Sequence, residues 1–519
     1  MENKSVAMRR VLSFATITAI GFALGRVSGV AREMVVSAQF GLSAELDAYF
    51  IAFLVPTLIN NIVAGSAIHA AAMPTLARYL AANDRAEFWR VASSVTNFLL
   101  LVTSALTILA ILLGNAIIAI IGAGLAPATQ TLAAQMLVIM MPTLILGALL
   151  NMLMAILNAL DRFTAPALIF IALNLGIIAT VFLLTPLIGV YAVAWGFLIG
   201  VALQVVIQLI ELRGERPQYK FILDWRHPAL KEIGGAFIPI TALAIIAQIN
   251  LVIDRAMAAT LPPGSVSALA YADTILGSFY ALGISLGIAV FPSLSRMVAQ
   301  NDLENMARTI FVSLRLLIFI LAPLTFLLIP FAPHAIGLLL GRGRFDAAAV
   351  ELTSAALAMY AIGLTGIAAL YIVQRAFYAL GASRVPLIVG TVAAFMHIGL
   401  NFALMRGMAH AGIALSTALT ATVSAIFLLI VLARKMRALD VRALLIFFAR
   451  ASLLALVCAF ATSRAFALLN LGDTSVTAWV FGIIFAIGGG GLYFVIALFA
   501  RVPESAMLAH AVSGFFKRK

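Results

Sequence analysis

Charged residues and cysteines are both scarce in this chain of 519 residues. Lys, Arg, Asp and Glu together make up 10% of it, against about 25% in ordinary soluble domains. The single cysteine, Cys458, cannot form an intramolecular disulfide, and no Cys-x-x-Cys or Cys/His cluster offers a zinc site. These absences exclude a soluble globular protein and leave no basis for a redox or structural-metal role.

Motifs of enzymatic chemistry are missing as well. The chain has no Gly-Lys dipeptide and therefore no P-loop for the phosphates of ATP, and it has no His-Glu-x-x-His sequence for a catalytic zinc. No pair of carboxylates stands out in the predicted outer loops, which are too short to hold a catalytic domain. We therefore expect a protein that is not an enzyme.

Long apolar runs take the place of charge. Hydrophobic residues make up 64% of the chain, and the mean hydropathy is +1.13. About 20 apolar residues suffice for a helix to cross the hydrocarbon core, and backbone polar groups in lipid must be paired within the helix. The pattern predicts an all-α polytopic membrane protein with about 14 transmembrane helices, at 11–31, 46–72, 91–115, 131–157, 164–186, 189–210, 232–257, 265–291, 311–335, 352–374, 385–405, 411–433, 443–464 and 476–500.

The distribution of Lys and Arg predicts the orientation. With the N-terminus inside, the cytoplasmic segments hold 24 of these residues and the outer loops only four, as expected when basic loops stay in the cytoplasm. Both termini are then cytoplasmic. The same distribution accounts for the net charge of +13, so we predict no nucleic-acid partner.

An internal repeat divides the predicted helices into two sets of six. The segment that begins Met73-Pro-Thr-Leu-Ala-Arg matches Phe291-Pro-Ser-Leu-Ser-Arg, and Ala159-Leu160 with Pro166 matches Ala379-Leu380 with Pro386, at offsets of 218 and 220. Because an even number of helices separates the copies, the repeat is parallel. It predicts two lobes around a central cavity, plus two extra C-terminal helices. The predicted domains are a first lobe (1–212), a basic linker (213–231), a second lobe (232–434) and a terminal helix pair with a tail (435–519).

Charges in the predicted helices, and just after the first of them, suggest the chemistry. Each costs about 2.5–3.5 kcal/mol on insertion scales and so needs a partner or a wet cavity. They include Arg26, Arg32, Glu33, Asp47, Asp254, Arg255 and Asp273. Arg32 and Arg255 hold similar places in the two repeats, and a cavity lined by both would suit an anionic head group, since guanidinium forks match phosphate oxygens. The alternative is that these arginines snorkel to the interface or pair with the acids beside them.

Several segments together resemble one family. They are Gly25-Arg-Val-Ser-Gly-Val-Ala-Arg-Glu, Phe40-Gly, Asp47-Ala-Tyr-Phe-Ile-Ala-Phe with Pro56, Gln248-Ile-Asn-Leu-Val-Ile-Asp-Arg, Ser265-Val-Ser-Ala-Leu-Ala-Tyr-Ala-Asp and Phe291-Pro-Ser-Leu-Ser. In order and spacing these segments resemble the MurJ (MviN) lipid II flippases of the multidrug/oligosaccharidyl-lipid/polysaccharide (MOP) exporter superfamily. The resemblance covers nearly the whole chain.

The resemblance implies an alternating-access carrier that serves peptidoglycan biosynthesis, and so cell wall biogenesis and cell shape. Its partner would be lipid II, an undecaprenyl-pyrophosphate-linked precursor, whose head group enters a cationic cavity while the lipid tail lies along a groove at the last two helices. Carried over by motif, the substrate-binding residues would be Arg26, Arg32, Glu33, Asp47, Arg255 and Asp273. No cofactor is implied. Coupling to Na⁺ or H⁺ is implied, and Asp254, Asn401 and Thr417 would form a possible cation site.

Some positions depart from the family pattern. Thr274 stands where an arginine is usual, Asn60, Asn61 and Gly65 occupy a stretch that often carries Arg and Glu, and His397 replaces an Asn of the sodium site. These departures bear on the substrate more than on the fold. They leave open an exporter of another polyprenyl-pyrophosphate glycan, an ion-coupled exporter of small molecules on the same scaffold, or a membrane scaffold that transports nothing.

Overall fold

A computed structural model of the chain describes residues 21, 24–63, 66–215, 218–224, 226–436, 438–471 and 475–516. It forms two compact units, 1–267 and 268–519. The helices of the first unit are α1 (24–40), α2 (Ala44–Val63), α3 (Ser66–Ala81), α4 (Arg85–Leu112), α5 (Gly114–Ile121), α6 (Pro127–Met140), α7 (Thr143–Ala159), α8 (Thr164–Ile188), α9 (Tyr191–Arg213) and α10 (Pro228–Ala258).

Helix α11 (Ser265–Ala299) begins at the end of the first unit and continues into the second. The other helices of the second unit are α12 (Leu303–Leu340), α13 (Ala347–Ile362), α14 (Leu364–Ala379), α15 (Arg384–Lys435), α16 (Val441–Ala467), α17 (Val476–Phe499) and α18 (Pro503–Phe516). Helix α15 is two helices joined at Ala409, whose backbone (φ 48°, ψ −132°) is not helical. The predicted separation of 385–405 from 411–433 is thereby confirmed.

The predicted all-helical fold is confirmed: the described residues form helices, turns and loops but no strand. Nine helical segments among them are long and apolar enough to cross a membrane, or ten if the bent pair α13 and α14 counts as one span. Each predicted span coincides with one helix, one half of α15 or two consecutive helices; residues 11–20 lie outside the described part. Pro142 lies between α6 and α7, and Gly363 lies between α13 and α14. Hydropathy alone predicted one span for each of these two helix pairs.

The contact-defined units do not end where the repeat does. Helix α10, which the repeat places at the start of the second lobe, packs against α2 and α3 and belongs to the first unit. The lobe boundaries therefore remain a prediction from the repeat.

The local structure of the repeated turns is duplicated. Asn83 and Asn301 both adopt left-handed backbone conformations (φ 60° and 56°). In each copy the following aspartate caps the next helix: Asp84 accepts from the N–H of Glu87 at 3.0 Å, and Asp302 from that of Asn305 at 3.1 Å. An Asp at the N-cap satisfies an N–H that the helix leaves free. The sequence offset of 218 thus marks the same turn built twice.

Close helix packing in the first unit depends on glycines. A Cβ on Gly176 of α8 would lie 2.6 Å from the Cα of Gly200 on α9, so the two backbones touch. Small residues permit such approach where lipid supplies no hydrophobic drive to bring helices together. Elsewhere in this unit, Phe88 and Trp89 pack edge to face, with ring centroids 5.1 Å apart, in a buried core of α3, α4, α7 and α9.

The C-terminal helices pack on α12. A Cβ on Gly482 of α17 would lie 2.3 Å from the ring of His334, so this glycine allows α17 to pack directly on α12. Arg315 of α12 forms a 2.7 Å ion pair with Glu504 of α18, and its guanidinium lies 4.3 Å from the ring centre of Phe447 on α16. The predicted helix pair 443–464 and 476–500 is therefore joined to one long helix of its own unit.

The second duplicated turn allows a test of backbone strain. Asp161 and Gly381, 220 residues apart, are both left-handed (φ 58° and 66°), and a Cβ on Gly381 would meet nothing within 4 Å. Gly381→Ala should therefore destabilise the protein by about 1–2 kcal/mol through backbone conformation alone. Gly390→Ala, in the interior of α15 with equally open space, should instead stabilise it by up to about 1 kcal/mol. Thermal unfolding in detergent micelles measures both, and a fall in Tm for both variants would contradict the explanation.

Candidate functional site

Gly25 in α1, and Gly21 ahead of it, lie close against α8. Cβ atoms on Gly21 and Gly25 would lie 2.5 Å from the carbonyl oxygen of Ala167 and 2.8 Å from the Cβ of Phe170. The side-chain amide of Asn174 donates to the carbonyl of Gly25 at 3.1 Å. Because these contacts fix the rotation of α1, they also determine which way its charged residues project.

The two arginines of α1 have different surroundings. Arg26 is exposed and makes no hydrogen bond or ion pair with any part of the chain that the structure describes. Arg32 is three-quarters buried and pairs with the carboxylate of Glu33, which is itself buried. The local pairing considered as an alternative for Arg32 is thus present, and Arg26 is the α1 arginine whose charge is left uncompensated.

Asp47 caps the start of α11. Its side chain is buried, and its two carboxylate oxygens accept from the N–H of Gly264 at 2.6 Å, the N–H of Ser267 at 2.8 Å and the hydroxyl of Ser267 at 2.7 Å. A carboxylate that receives three hydrogen bonds at a helix N-terminus is strongly held there. The predicted substrate-binding acid therefore joins the start of α2 to the start of α11.

Arg255 lies in the same cluster as Asp47. It is buried near the end of α10, donates to the carbonyl of Val266 at 2.8 Å and interacts favourably with the charge of Asp47. The structure therefore brings these two predicted residues together, while Arg32 pairs with Glu33. Asp254, beside Arg255, is also buried.

Sequence reasoning missed the partners of these charges. Gly264 and Ser267 are 217 and 220 residues from Asp47, and no local pattern in the sequence pairs positions so far apart. Tyr49 was also missed: its buried side chain is near enough to Arg32 and Glu33 to interact with their charges. Tyr49 stacks on Phe53 with ring centroids 5.7 Å apart, and only the aromatic run after Asp47 hinted at it.

The remaining predicted residues lie in the second unit. Asp273 on α11 is half-buried and near Tyr371 of α14. Asn401 and Thr417 lie on the two halves of α15, and the amide nitrogen of Asn401 is 3.4 Å from Nε2 of the buried His397. The hydroxyl of Ser416 is 3.1 Å from Nδ1 of the same ring.

This cluster mixes two kinds of donor. Hydroxyl and amide oxygens suit a hard cation such as Na⁺, whereas an imidazole nitrogen suits softer metals. No group of three or more His, Cys, Asp and Glu side chains able to hold a metal occurs in the described ranges. The cluster around Asn401 thus fits Na⁺ only in part.

Asn60 and Thr274, which depart from the family pattern, make contacts within the protein. Asn60 packs over Gly147 of α7, where an added Cβ would lie 2.3 Å from the Asn60 amide oxygen. Thr274 is exposed and donates to the carbonyl of Ala270 at 2.9 Å. Asn61 is exposed, and Gly65 lies outside the described residues.

Comparison with known proteins places these features in one family. The profile of the family described as "Lipid II flippase MurJ" matches residues 36–488. The lipid II flippase MurJ of Burkholderia cenocepacia is 29% identical over 435 residues, covering 81% of this chain and 84% of that protein. A probable lipid II flippase MurJ of Rhizobium tropici is 28% identical over 432 residues, covering 81% and 80%.

Solved structures share the fold. A lipid II flippase MurJ in an inward closed conformation aligns with a TM-score of 0.77 at 24% identity, covering 94% of this chain and 99% of the other. An inward-facing multidrug resistance MATE family transporter of the MOP superfamily aligns with a TM-score of 0.68 at 17% identity, covering 80% and 95%. The predicted polytopic helical membrane fold is thereby confirmed.

The cluster around Asp47 predicts a structural effect of mutation. Asp47→Ala leaves the buried N–H groups of Gly264 and Ser267 without their acceptor, which should cost about 1–3 kcal/mol for each unsatisfied group. Glu45→Ala, two residues earlier on the same helix but exposed, should change stability by less than about 0.5 kcal/mol. Thermal unfolding of the purified variants measures the difference. An unchanged Tm for Asp47→Ala would mean that the carboxylate does not hold the start of α11.

Proposed function

The chain belongs to the family of the lipid II flippase MurJ, and from this premise we propose that it moves lipid II from the inner to the outer leaflet of the bacterial cytoplasmic membrane. Lipid II carries its sugars and peptide on a polyprenyl pyrophosphate. The transported group is therefore doubly anionic and strongly hydrated. A carrier has to offer it charge and hydrogen bonds along a path that lipid tails cannot supply.

Arg26 is the observation that supports this proposal most directly. A guanidinium on an apolar helix, with no partner in the described part of the chain, is costly unless water or an anion reaches it. Its planar fork can donate two parallel hydrogen bonds to neighbouring phosphate oxygens, which the point charge of a lysine cannot do. We assign Arg26 the first contact with the pyrophosphate.

Arg32 and Glu33 add a second contact by exchange of partners. About a quarter of the Arg32 side chain is exposed, while Glu33 is almost covered. A phosphate oxygen that reaches Arg32 competes with Glu33 for the same guanidinium. Binding of the pyrophosphate would thus replace an internal ion pair by a substrate contact, and its release would restore that pair.

Resetting the carrier requires charge movement. We propose that the carrier alternates between states open to the two sides of the membrane and that both termini are cytoplasmic. An empty cationic site responds to the membrane potential by about 2.3 kcal/mol per charge per 100 mV. Coupling to Na⁺ or H⁺ is part of the same proposal; Asp254, Asn401 and Thr417 are the residues that would bear on it.

An exporter of another lipid-linked glycan, or of small molecules, is the second candidate. Thr274, Asn60 and Asn61 lack the charges usual in the family, and Thr274 donates to its own helix. A small-molecule exporter would not need α16 and α17, so truncation near residue 440 would preserve its drug-resistance phenotype. A lipid flippase that guides a polyprenyl tail along those helices would be inactivated. The family match favours lipid II.

Loss of Arg26 should abolish transport without loss of the protein. A charge-assisted hydrogen bond contributes about 1.5–3 kcal/mol, so Arg26→Ala should lower the outer-leaflet exposure of lipid II by about tenfold or more. The measurement is made in cells depleted of their own flippase, with membrane insertion followed in parallel. Val27→Ala, at the exposed neighbouring position, is the matched control. Normal growth and lipid II exposure with Arg26→Ala would refute the assigned contact.

The exchange between Glu33 and substrate has its own test. Arg32→Ala should destabilise the protein because it leaves a buried Glu33 without its ion pair, and the double variant Arg32→Ala with Glu33→Ala should recover the lost Tm. Transport by the double variant should remain low, because the phosphate contact is still missing. If the double variant recovers transport together with stability, Arg32 serves only to neutralise Glu33.

A further inference from the structure

A short extended segment, residues 218–224, lies against the first turns of α4; we call it the strap. Its backbone is held by α4 side chains: the amide of Asn97 donates to the carbonyls of Lys220 and Ile222 at 3.1 and 2.9 Å, and the hydroxyl of Ser93 accepts from the N–H of Lys220 at 3.1 Å. Tyr219 donates to the carbonyl oxygen of the Asn97 side chain. The strap is therefore a fixed part of the first unit.

The strap lies at the depth where α4 changes from charged to apolar. The charged residues of α4 end at Arg90, and an exposed apolar stripe begins at Leu101 and continues through Ile108 and Leu112, which are 55%, 60% and 76% exposed. Positions four residues apart share a helix face. Ser93 and Asn97 therefore continue this stripe towards the N-terminus of α4, and the strap covers the stripe at its end.

That stripe identifies what surrounds the strap. Leu101, Ile108 and Leu112 belong to a helix long and apolar enough to cross a membrane, and exposed leucines along such a helix face lipid tails. A segment on the same face, about one turn beyond the stripe, lies at the level of the lipid head groups.

The side chains of the strap and of its flanks are sorted by charge. The acids are paired with arginines: Glu215 binds Arg162 at 2.7 Å, Asp224 binds Arg90 at 2.8 Å, and Glu232 binds Arg78. The exposed cations of this region, in contrast, are Arg213, Lys220, Arg226 and Lys231. Since each of these acids is neutralised by an arginine outside the segment, the outward surface is strongly basic.

Aromatic side chains complete this surface. Phe221 is 92% exposed and Tyr219 is 51% exposed, while the backbone between them is bound to α4. A phenylalanine ring that a fixed backbone holds in water contributes no hydrophobic stabilisation. At the membrane interface the same ring is removed from water, which is favourable. Basic side chains beside it gain from the negative surface of the cytoplasmic leaflet.

We propose that the strap is a membrane-interface anchor: Phe221 inserts at the boundary between head groups and acyl chains, and Arg213, Lys220 and Arg226 bind the phosphates of anionic lipids. A cytosolic protein fits the surface less well, because the lipid-facing stripe of α4 continues directly below it. The anchor fixes the depth of α4 and of the segment that joins the two repeats. It requires only that this end of α4 is cytoplasmic, as the distribution of Lys and Arg predicts.

The test uses the full-length protein with Cys458→Ser, so that one added cysteine carries an environment-sensitive fluorophore. Phe221→Cys places the label on the strap, where little of the protein is disturbed. Gln300→Cys, on the exposed turn between α11 and α12, is the matched control. Both are reconstituted into vesicles of phosphatidylcholine with phosphatidylglycerol. Quenching is measured with lipids that carry a nitroxide near the head group, and with iodide in the water.

We expect the label at 221 to be quenched several-fold more by the nitroxide lipid than the label at 300, and several-fold less by iodide. Replacing phosphatidylglycerol with phosphatidylcholine, or changing Arg213, Lys220 and Arg226 to glutamine, should weaken the lipid quenching. Equal iodide quenching at both positions would show that the strap is not a membrane anchor, and its surface would then be a docking site for a soluble protein. If lipid quenching is strong but does not change when phosphatidylglycerol is removed or when the three cations are replaced, the proposed binding of anionic lipids is wrong.

Discussion

The cost of an uncompensated charge among apolar helices is the constraint on which this structure depends. The backbone N–H groups of Gly264 and Ser267 surround Asp47, Glu33 neutralises Arg32, and Glu504 with Phe447 covers Arg315. Each arrangement avoids several kcal/mol of desolvation that a bare charge would incur. Arg26 departs from this rule in the described part of the chain, and the proposed function therefore assigns it the contact with the pyrophosphate.

The same constraint shapes the protein where it leaves the bilayer. In the linker of the first unit, Asp224 pairs with Arg90 of α4 and Glu215 pairs with Arg162 of the α7–α8 loop, which leaves basic and aromatic groups on the outside. In the proposed function, pairing inside the membrane leaves Arg26 available to a pyrophosphate. In the proposed anchor, pairing at the surface leaves several cations available to lipid phosphates. The two proposals draw on one chemistry at two depths.

Close backbone packing determines where these charges point. The glycines of α1 bring its backbone against α8, and Gly482 brings α17 against α12. Because a glycine has no side chain, its backbone lies directly against the facing helix, so the helices have little freedom to rotate and the packing directs the side chains on their other faces. The position of Arg26 is in this sense a consequence of Gly21, Gly25 and Asn174.

The sequence by itself determined the all-helical membrane fold, the positions of nearly all spans and the duplicated turns at Asn83 and Asn301, because hydropathy, helix caps and left-handed residues are local properties. It also placed the important charges on the right helices. Only the tertiary structure decided their partners: Asp47 with a turn 217 residues away, Arg255 with the same cluster, and acids of the linker with α4. Pairing depends on which helix faces meet, and residues far apart in the chain do not encode that in any local pattern.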